Sequence, residues 1–209
     1  MAALLALSLL PGLAAAASGE SAPREGDWLV RIMVLGIYPI DADSEVIPVG
    51  GEADLPDTYQ PGLDISYFIT PRWALEFQGG PDEAEYRINN FASSGTSVDA
   101  GTAKTAVASL TLQHHFRPHA ALRPYLGVGV NHIYVREVSP EPGIPDFEIE
   151  DMTSPLINAG VDYHLGGRFF ASANLRYLFN PEYQIDIGPL SARVDMDTLV
   201  AGVGLGIRF

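Results

Sequence analysis

From residue 28 onward, apolar side chains fall on every second position in a series of short runs. Residues 63–70 (LDISYFIT) set Leu63, Ile65 and Tyr67 against Asp64, Ser66 and Thr70. Residues 73–78 (WALEFQ) set Trp73, Leu75 and Phe77 against Ala74, Glu76 and Gln78. Residues 105–116 place Ala106, Ala108, Leu110, Leu112 and Phe116 opposite Ser109, Thr111, Gln113 and His115. At the end of the chain, 198–209 alternates Leu199, Ala201, Val203, Leu205, Ile207 and Phe209 with Thr198, Gly202, Gly204, Gly206 and Arg208. A period of two is the signature of a strand whose faces meet different surroundings. Runs at 28–38, 124–135, 155–164 and 169–179, alternating or apolar on both faces, bring the number to eight. The 21 glycines and 16 prolines close the runs with turns, and after Ser18 no apolar stretch approaches the ~18 residues of a spanning helix.

The connections alternate in length. Short links follow the second, fourth and sixth runs, and long ones follow the first, third and fifth. The seventh and eighth runs form an extended hairpin to which 184–187 and 193–196 contribute. A soluble sandwich gives no reason for such asymmetry. An outer-membrane barrel does, because its periplasmic turns are short and its external loops long. Charge follows the same division: Arg72, Arg117, Arg123 and Arg168 mark the short turns. Acids crowd the long loops, with Asp41, Asp43, Glu45, Glu52, Asp54 and Asp57 in one and Glu141, Asp146, Glu148, Glu150 and Asp151 in another. Aromatic residues (Trp28, Tyr38, Tyr67, Trp73, Phe116, Tyr125, Tyr134, Tyr163, Phe169, Phe209) sit near strand ends, as interfacial girdles require. The pattern predicts an all-β fold, an eight-stranded antiparallel up-and-down transmembrane β-barrel.

Residues 1–17 (MAALLALSLLPGLAAAA) carry no charge and end in small residues, the form of a secretory signal cleaved before Ser18. A membrane anchor would need ~20 apolar residues, and Pro11 interrupts this run. The expected organisation is a cleaved signal over 1–17 and a single barrel domain over 18–209, exported to the cell outer membrane. Of the 209 residues only 18% are charged, and 26 acids against 12 bases give −14. That balance excludes nucleic acid, which calls for a basic stripe. The absence of cysteine excludes disulfides, thiolate metal sites and thiol catalysis.

Candidate chemistry is sparse. Gly202-x-Gly204-x-Gly206 is followed by no helix pattern, so it fails as a nucleotide motif and reads as small residues relieving a crowded interior. His114 and His115 point to opposite faces of one strand. The acidic run Glu148 to Asp151 lacks the EF-hand pattern. No G-x-S-x-G occurs, and Ser109 and His115 lie about 20 Å apart along a strand. Neither a metal, a cofactor nor a catalytic centre is expected.

The ordered motifs VR at 30–31, DISYFIT at 64–70, WALEF at 73–77, LTLQHHF at 110–116, RPYLGVGVNH at 123–132, AGVDYHL at 159–165 and a glycine-alternating last strand resemble the OmpW family of small outer-membrane proteins. The resemblance implies an eight-stranded barrel with a narrow, partly apolar lumen that passes small hydrophobic molecules. Its surroundings are outer-membrane lipid and lipopolysaccharide. The alternative is a structural or surface-interaction barrel without transport; a lipid-modifying enzyme is disfavoured.

Strand phase decides what faces inward. A charge on mid-membrane lipid costs ~2–4 kcal/mol, so Arg31 turns inward and takes Met33, Leu35 and Ile37 with it. These residues and Phe68 are the apolar lumen candidates. The same reasoning turns Asp64, Glu76, Asp162, Arg176 and Arg208 inward. Eight strands enclose only enough room for side chains, so these charges and Arg31 are expected to form an ionic lattice that closes the periplasmic half and forces apolar solutes sideways. Phe209, an aromatic end on the lipid face, is the expected signal to the barrel-assembly machinery.

Overall fold

A computed structural model describes residues 22–47, 52–54, 57–89, 98–142, 147–148, 151–181, 183–187 and 190–209. The leader expected over 1–17 lies outside the described residues. Eleven strands appear among them: β1 (Trp28–Ile47), β2 (Glu52–Asp54), β3 (Thr58–Phe68), β4 (Trp73–Asn89), β5 (Val98–His115), β6 (Leu122–Pro140), β7 (Phe147–Glu148), β8 (Met152–Gly166), β9 (Phe169–Leu178), β10 (Tyr183–Ile187) and β11 (Leu190–Arg208). Strands β1, β3, β4, β5, β6, β8, β9 and β11 pair antiparallel in that order, and β1 pairs with β11 to close an eight-stranded barrel. The short β2, β7 and β10 extend the ladders at the external end.

The strands outrun the apolar runs that predict them. β1 continues nine residues past Tyr38 because 39–47 stays paired with β11 from Thr198 up to Ser191. β4 continues to Asn89 against β5. These stretches rise beyond the ~25 Å apolar band of such barrels, where no lipid imposes a period of two.

Lipid-facing positions carry Ile32, Val34, Leu75, Phe77, Leu110, Leu112, Leu126, Val128, Ile157, Leu175, Val203 and Leu205. Trp28, Trp73, Phe116, Phe169 and Phe209 ring the periplasmic end, where Trp28 packs on Tyr67 at 4.9 Å and Trp73 on His114 at 4.7 Å between ring centroids. Tyr59, Tyr134 and Phe179 occupy the other end. Tyr125, expected in a girdle, faces the lumen instead and is 1% exposed. It shares its phase with Arg123 and Gly127, while Leu126 and Val128 take the lipid side. Arg123 likewise belongs inside β6, buried, and not to the turn beside it.

Glycines make the interior fit. Gly206, Gly204 and Gly202 stand directly opposite Arg31, Met33 and Leu35. A Cβ at these glycines would lie 2.9 Å from Arg31 Cγ, 2.6 Å from Met33 Sδ and 2.9 Å from Leu35 Cδ2. Arg31, Met33 and Leu35 therefore each lie across a backbone with nothing on it, the close approach that glycine permits.

Candidate functional site in the barrel lumen

The lumen is layered along its axis. At the periplasmic end Leu29, Phe68, Ala74 and Phe170 form a small apolar cluster. Phe68 thus faces inward in this lower layer, apart from Met33 and Leu35. The guanidinium carbons of Arg123 and Arg208 lie 5.2 and 5.6 Å from the Phe170 ring centroid.

Above it lies a charged layer. Arg31 grips Asp162 through two bonds, Nε to Oδ1 at 3.0 Å and Nη2 to Oδ2 at 2.8 Å. Its Nη1 donates to Ser66 Oγ at 2.7 Å and to Glu76 Oε2 at 3.0 Å. Arg176 Nη2 donates to Glu76 Oε1 at 2.6 Å and reaches Asp64 Oδ2 at 3.5 Å. Ser172 donates to Asp162, Ser66 and Asn158 to Glu76, and Gln78 and Asn174 to Asp64. Arg31, Asp64 and Glu76 are wholly buried, and Asp162 and Arg176 nearly so. A buried charge survives only when paired and hydrogen-bonded, and all five of these have such partners.

Arg208, expected in this layer, lies at the periplasmic rim, with Nε 3.7 Å from Asp27. It is one residue from the chain end and on the same face as Gly206, so the inward phase holds while the height does not. The three acids therefore face Arg31 and Arg176, in place of the three arginines expected.

Met33, Leu35, Leu156, Leu178 and Val200 form an apolar cluster on the external side of the charged layer, with Ile37 packed against it. The β5–β6 wall turns polar residues inward: Thr105, Ser109 and Asn131 above the charged layer, Thr111 opposite Glu76, and Gln113 and His115 below, beside Ala74 and Phe68. Sequence reasoning named none of Asn158, Asn174, Gln78, Ser66, Ser172, Tyr125 and Arg123 as lumen residues. Most were within reach, because stepping by two from Glu76 gives Gln78, from Asp64 gives Ser66, and from Arg176 gives Asn174 and Ser172.

One seam in the wall differs from the rest. β3 and β4 pair at six positions, Leu63/Gly79 to Phe68/Ala74, whereas the neighbouring ladder of β1 with β3 runs through ten, from Trp28/Tyr67 to Ile37/Thr58. Above the last pair stand Pro61 and Gly62 on β3, with Gly80 and Pro81 on β4. Proline lacks the N–H donor of a regular ladder, while the two backbones stay close, a Cβ at Gly80 falling 2.9 Å from the Pro61 carbonyl oxygen. Leu35 lies over Gly62 at that height, with Cδ1 2.6 Å from where a Cβ would stand. The apolar layer thus borders the end of this ladder.

Comparison with known proteins agrees with the barrel. The sequence profile of the OmpW family matches residues 24–209. An uncharacterised outer-membrane protein of Sinorhizobium fredii, y4mB, is 30% identical over 203 residues, covering 95% of this chain and 86% of its own. The dibenzothiophene metabolism operon protein DoxH of a Pseudomonas species is 26% identical over 198 residues, covering 89% and 90%. The crystal structure of the outer membrane protein OprG from Pseudomonas aeruginosa superposes with a TM-score of 0.80 over 90% of this chain and 98% of that one, at 20% identity. With a family match over nearly the whole barrel, a closed eight-stranded wall and a lipid-facing apolar band, the chain belongs to the OmpW family and is an outer-membrane β-barrel protein.

Proposed function

We propose that the barrel is a narrow passage for small hydrophobic molecules, which enter at the external end, reach the apolar layer and leave sideways through the seam between β3 and β4. The short ladder beside Leu35 carries this reading. The charged layer blocks the alternative course, since a solute moving straight down would have to part Arg31 from Glu76 and Asp162. The dibenzothiophene operon relative supports the solute class, because its name ties a similar barrel to the metabolism of an apolar aromatic compound. No catalytic role is proposed: Ser109 donates to Asn131 and Ser172 to Asp162. Lipid surrounds the barrel, lipopolysaccharide is the expected neighbour of the external loops, and Phe209 is the expected contact of the assembly machinery.

The native chain has no cysteine, so an introduced pair is the one thiol pair that can oxidise. In a Pro61→Cys, Pro81→Cys variant the two exposed positions continue the register beyond Leu63/Gly79. Oxidation is expected to abolish protein-dependent uptake of a radiolabelled alkane by whole cells, and a reductant to restore it. Unchanged uptake in the oxidised, cross-linked protein would exclude the lateral route.

A further inference from the structure

Arg176 stands where the charged and apolar layers meet. It is cross-strand partner to Asn158 on β8 and to Val200 on β11. Leu178 is the next inward residue on its own strand, and Leu156 lies opposite Leu178. Val200, Leu178 and Leu156 all belong to the apolar cluster with Met33 and Leu35.

The guanidinium is only partly used. Nη2 serves Glu76 and Asp64, while Nε and Nη1 are buried with no hydrogen-bond partner among the described residues. These two nitrogens carry three N–H donors. Beside them, Asn158 and Asn174 give their Nδ2 groups to Glu76 and Asp64, which turns each Oδ1 away from the carboxylates. Both Oδ1 atoms are also buried without a partner among the described residues, and Asn174 Oδ1 lies over Gly202, as does Leu35. Buried polar groups are rarely left unsatisfied. Here donors and acceptors are orphaned together at the floor of an apolar layer.

We infer that this floor receives the head group of the solute, and that the solutes favoured are neutral amphiphiles with an apolar tail and a terminal hydroxyl. The inference rests on the passage proposed above and names its substrate class. A hydroxyl accepts from Arg176 Nε or Nη1 and donates to Asn158 or Asn174 Oδ1, while the tail packs on Leu35, Leu156, Leu178 and Val200. A carboxylate satisfies the arginine but meets the two amide oxygens, as well as Glu76 and Asp64, which already neutralise that cation at 2.6 and 3.5 Å. An ammonium head faces the guanidinium itself. An alkane leaves every orphan unsatisfied.

The test compares 1-decanol, decane and decanoate, each radiolabelled, in whole cells expressing the full chain or an empty vector. Protein-dependent initial rates are expected to favour decanol over decane and over decanoate by about tenfold, the scale of one hydrogen bond to a charged group. Arg176→Lys, which keeps the charge and removes Nε and Nη1, is expected to bring the decanol-to-decane ratio close to one. Because that substitution touches the charged layer and risks misfolding, the native barrel in lipid nanodiscs supplies a second readout, the Arg176 Nε–Hε resonance, expected to shift with decanol and to stay fixed with decane. Equal rates for decanol and decane, or a resonance unmoved by decanol, would overturn the head-group assignment and leave the passage standing. Uptake of none of the three above the vector would overturn the passage instead, and the resonance then decides the head-group site alone.

Discussion

Replacing Glu76 with alanine removes the one side chain that Arg31 and Arg176 both donate to. Its carboxylate accepts from Arg31 Nη1 at 3.0 Å, Ser66 Oγ at 3.2 Å, Arg176 Nη2 at 2.6 Å and Asn158 Nδ2 at 3.4 Å. Glu76→Ala leaves Arg31 with Asp162, but leaves Arg176 with only the longer contact to Asp64 at 3.5 Å. Breaking a buried ion pair by deleting one partner costs about 3–5 kcal/mol. The folded-to-unfolded ratio is then expected to fall by about two to three and a half orders of magnitude. Glu76→Gln keeps an acceptor for Arg176 while discarding the charge, so it is expected between alanine and the native protein. Reversible urea unfolding in lipid vesicles measures this through Trp28 and Trp73, the only tryptophans in the chain, both on the lipid-facing periplasmic girdle. A Glu76→Ala barrel that unfolds at the native midpoint with the native slope would refute the idea that the charged layer holds the lumen together.

In planar bilayers the native barrel is expected to pass no large, steady current, because Arg31, Glu76 and Asp162 bridge its interior; a stable, weakly selective conductance would show the lumen to be open. A lipid-soluble maleimide is expected to label Val34→Cys and spare Met33→Cys, since Val34 is 58% and Met33 1% exposed; equal labelling would reverse the phase of β1. Deleting Phe209, whose backbone exchanges hydrogen bonds with Trp28 across the closing seam, is expected to lower the yield of folded protein in the outer membrane, and native yield with native heat-modifiable migration would remove its role in assembly. Mass spectrometry of protein from outer membranes is expected to find Ser18 at the amino terminus; an intact leader would make residues 1–17 an anchor.

Legibility followed the lipid. Where one face of a strand meets hydrocarbon and the other a polar lumen, the period of two reads directly, as in 63–70 and 73–78; in β1 both faces are apolar and Arg31 alone gives the phase. Above the bilayer the same strands continue with water outside, and neither β4 beyond Gln78 nor β1 beyond Tyr38 declares itself. Inward residues were legible in phase and less so in height. Arg208 has the right face but lies at the rim beside Asp27, because height depends on the stagger of the ladders, which emerges only when eight strands close. Arg123 falls with the turn when the apolar run is begun at Pro124, whereas β6 begins at Leu122 and pairs Arg123 with Asp162. The partners that complete the charged layer, Asn158 and Asn174 above all, are uncharged and raise no alarm in a sequence. Only their convergence on Glu76 and Asp64 from other strands marks them.

The layering also explains how so narrow a barrel can yield anywhere. Bonds in the charged layer are directional and anchored in strands on both sides of the lumen: Arg31 on β1, Asp64 on β3, Glu76 on β4, Asp162 on β8 and Arg176 on β9. Separating any pair exposes a charge to a medium that cannot solvate it, at several kcal/mol for each ion. Contacts among Met33, Leu35, Leu156, Leu178 and Val200 are different in kind. Dispersion has little directionality and each atom pair contributes only ~0.1–0.2 kcal/mol, so a methylene of a passing solute replaces a methylene of the protein at little net cost. Methionine adds an unbranched, adaptable side chain to that layer. The layer able to exchange partners is the one beside the shortened β3–β4 ladder, and the layer unable to do so lies across the direct route to the periplasm. On the passage proposed here, resistance to flow is therefore lowest sideways, and the same buried charges that stabilise the barrel set that direction.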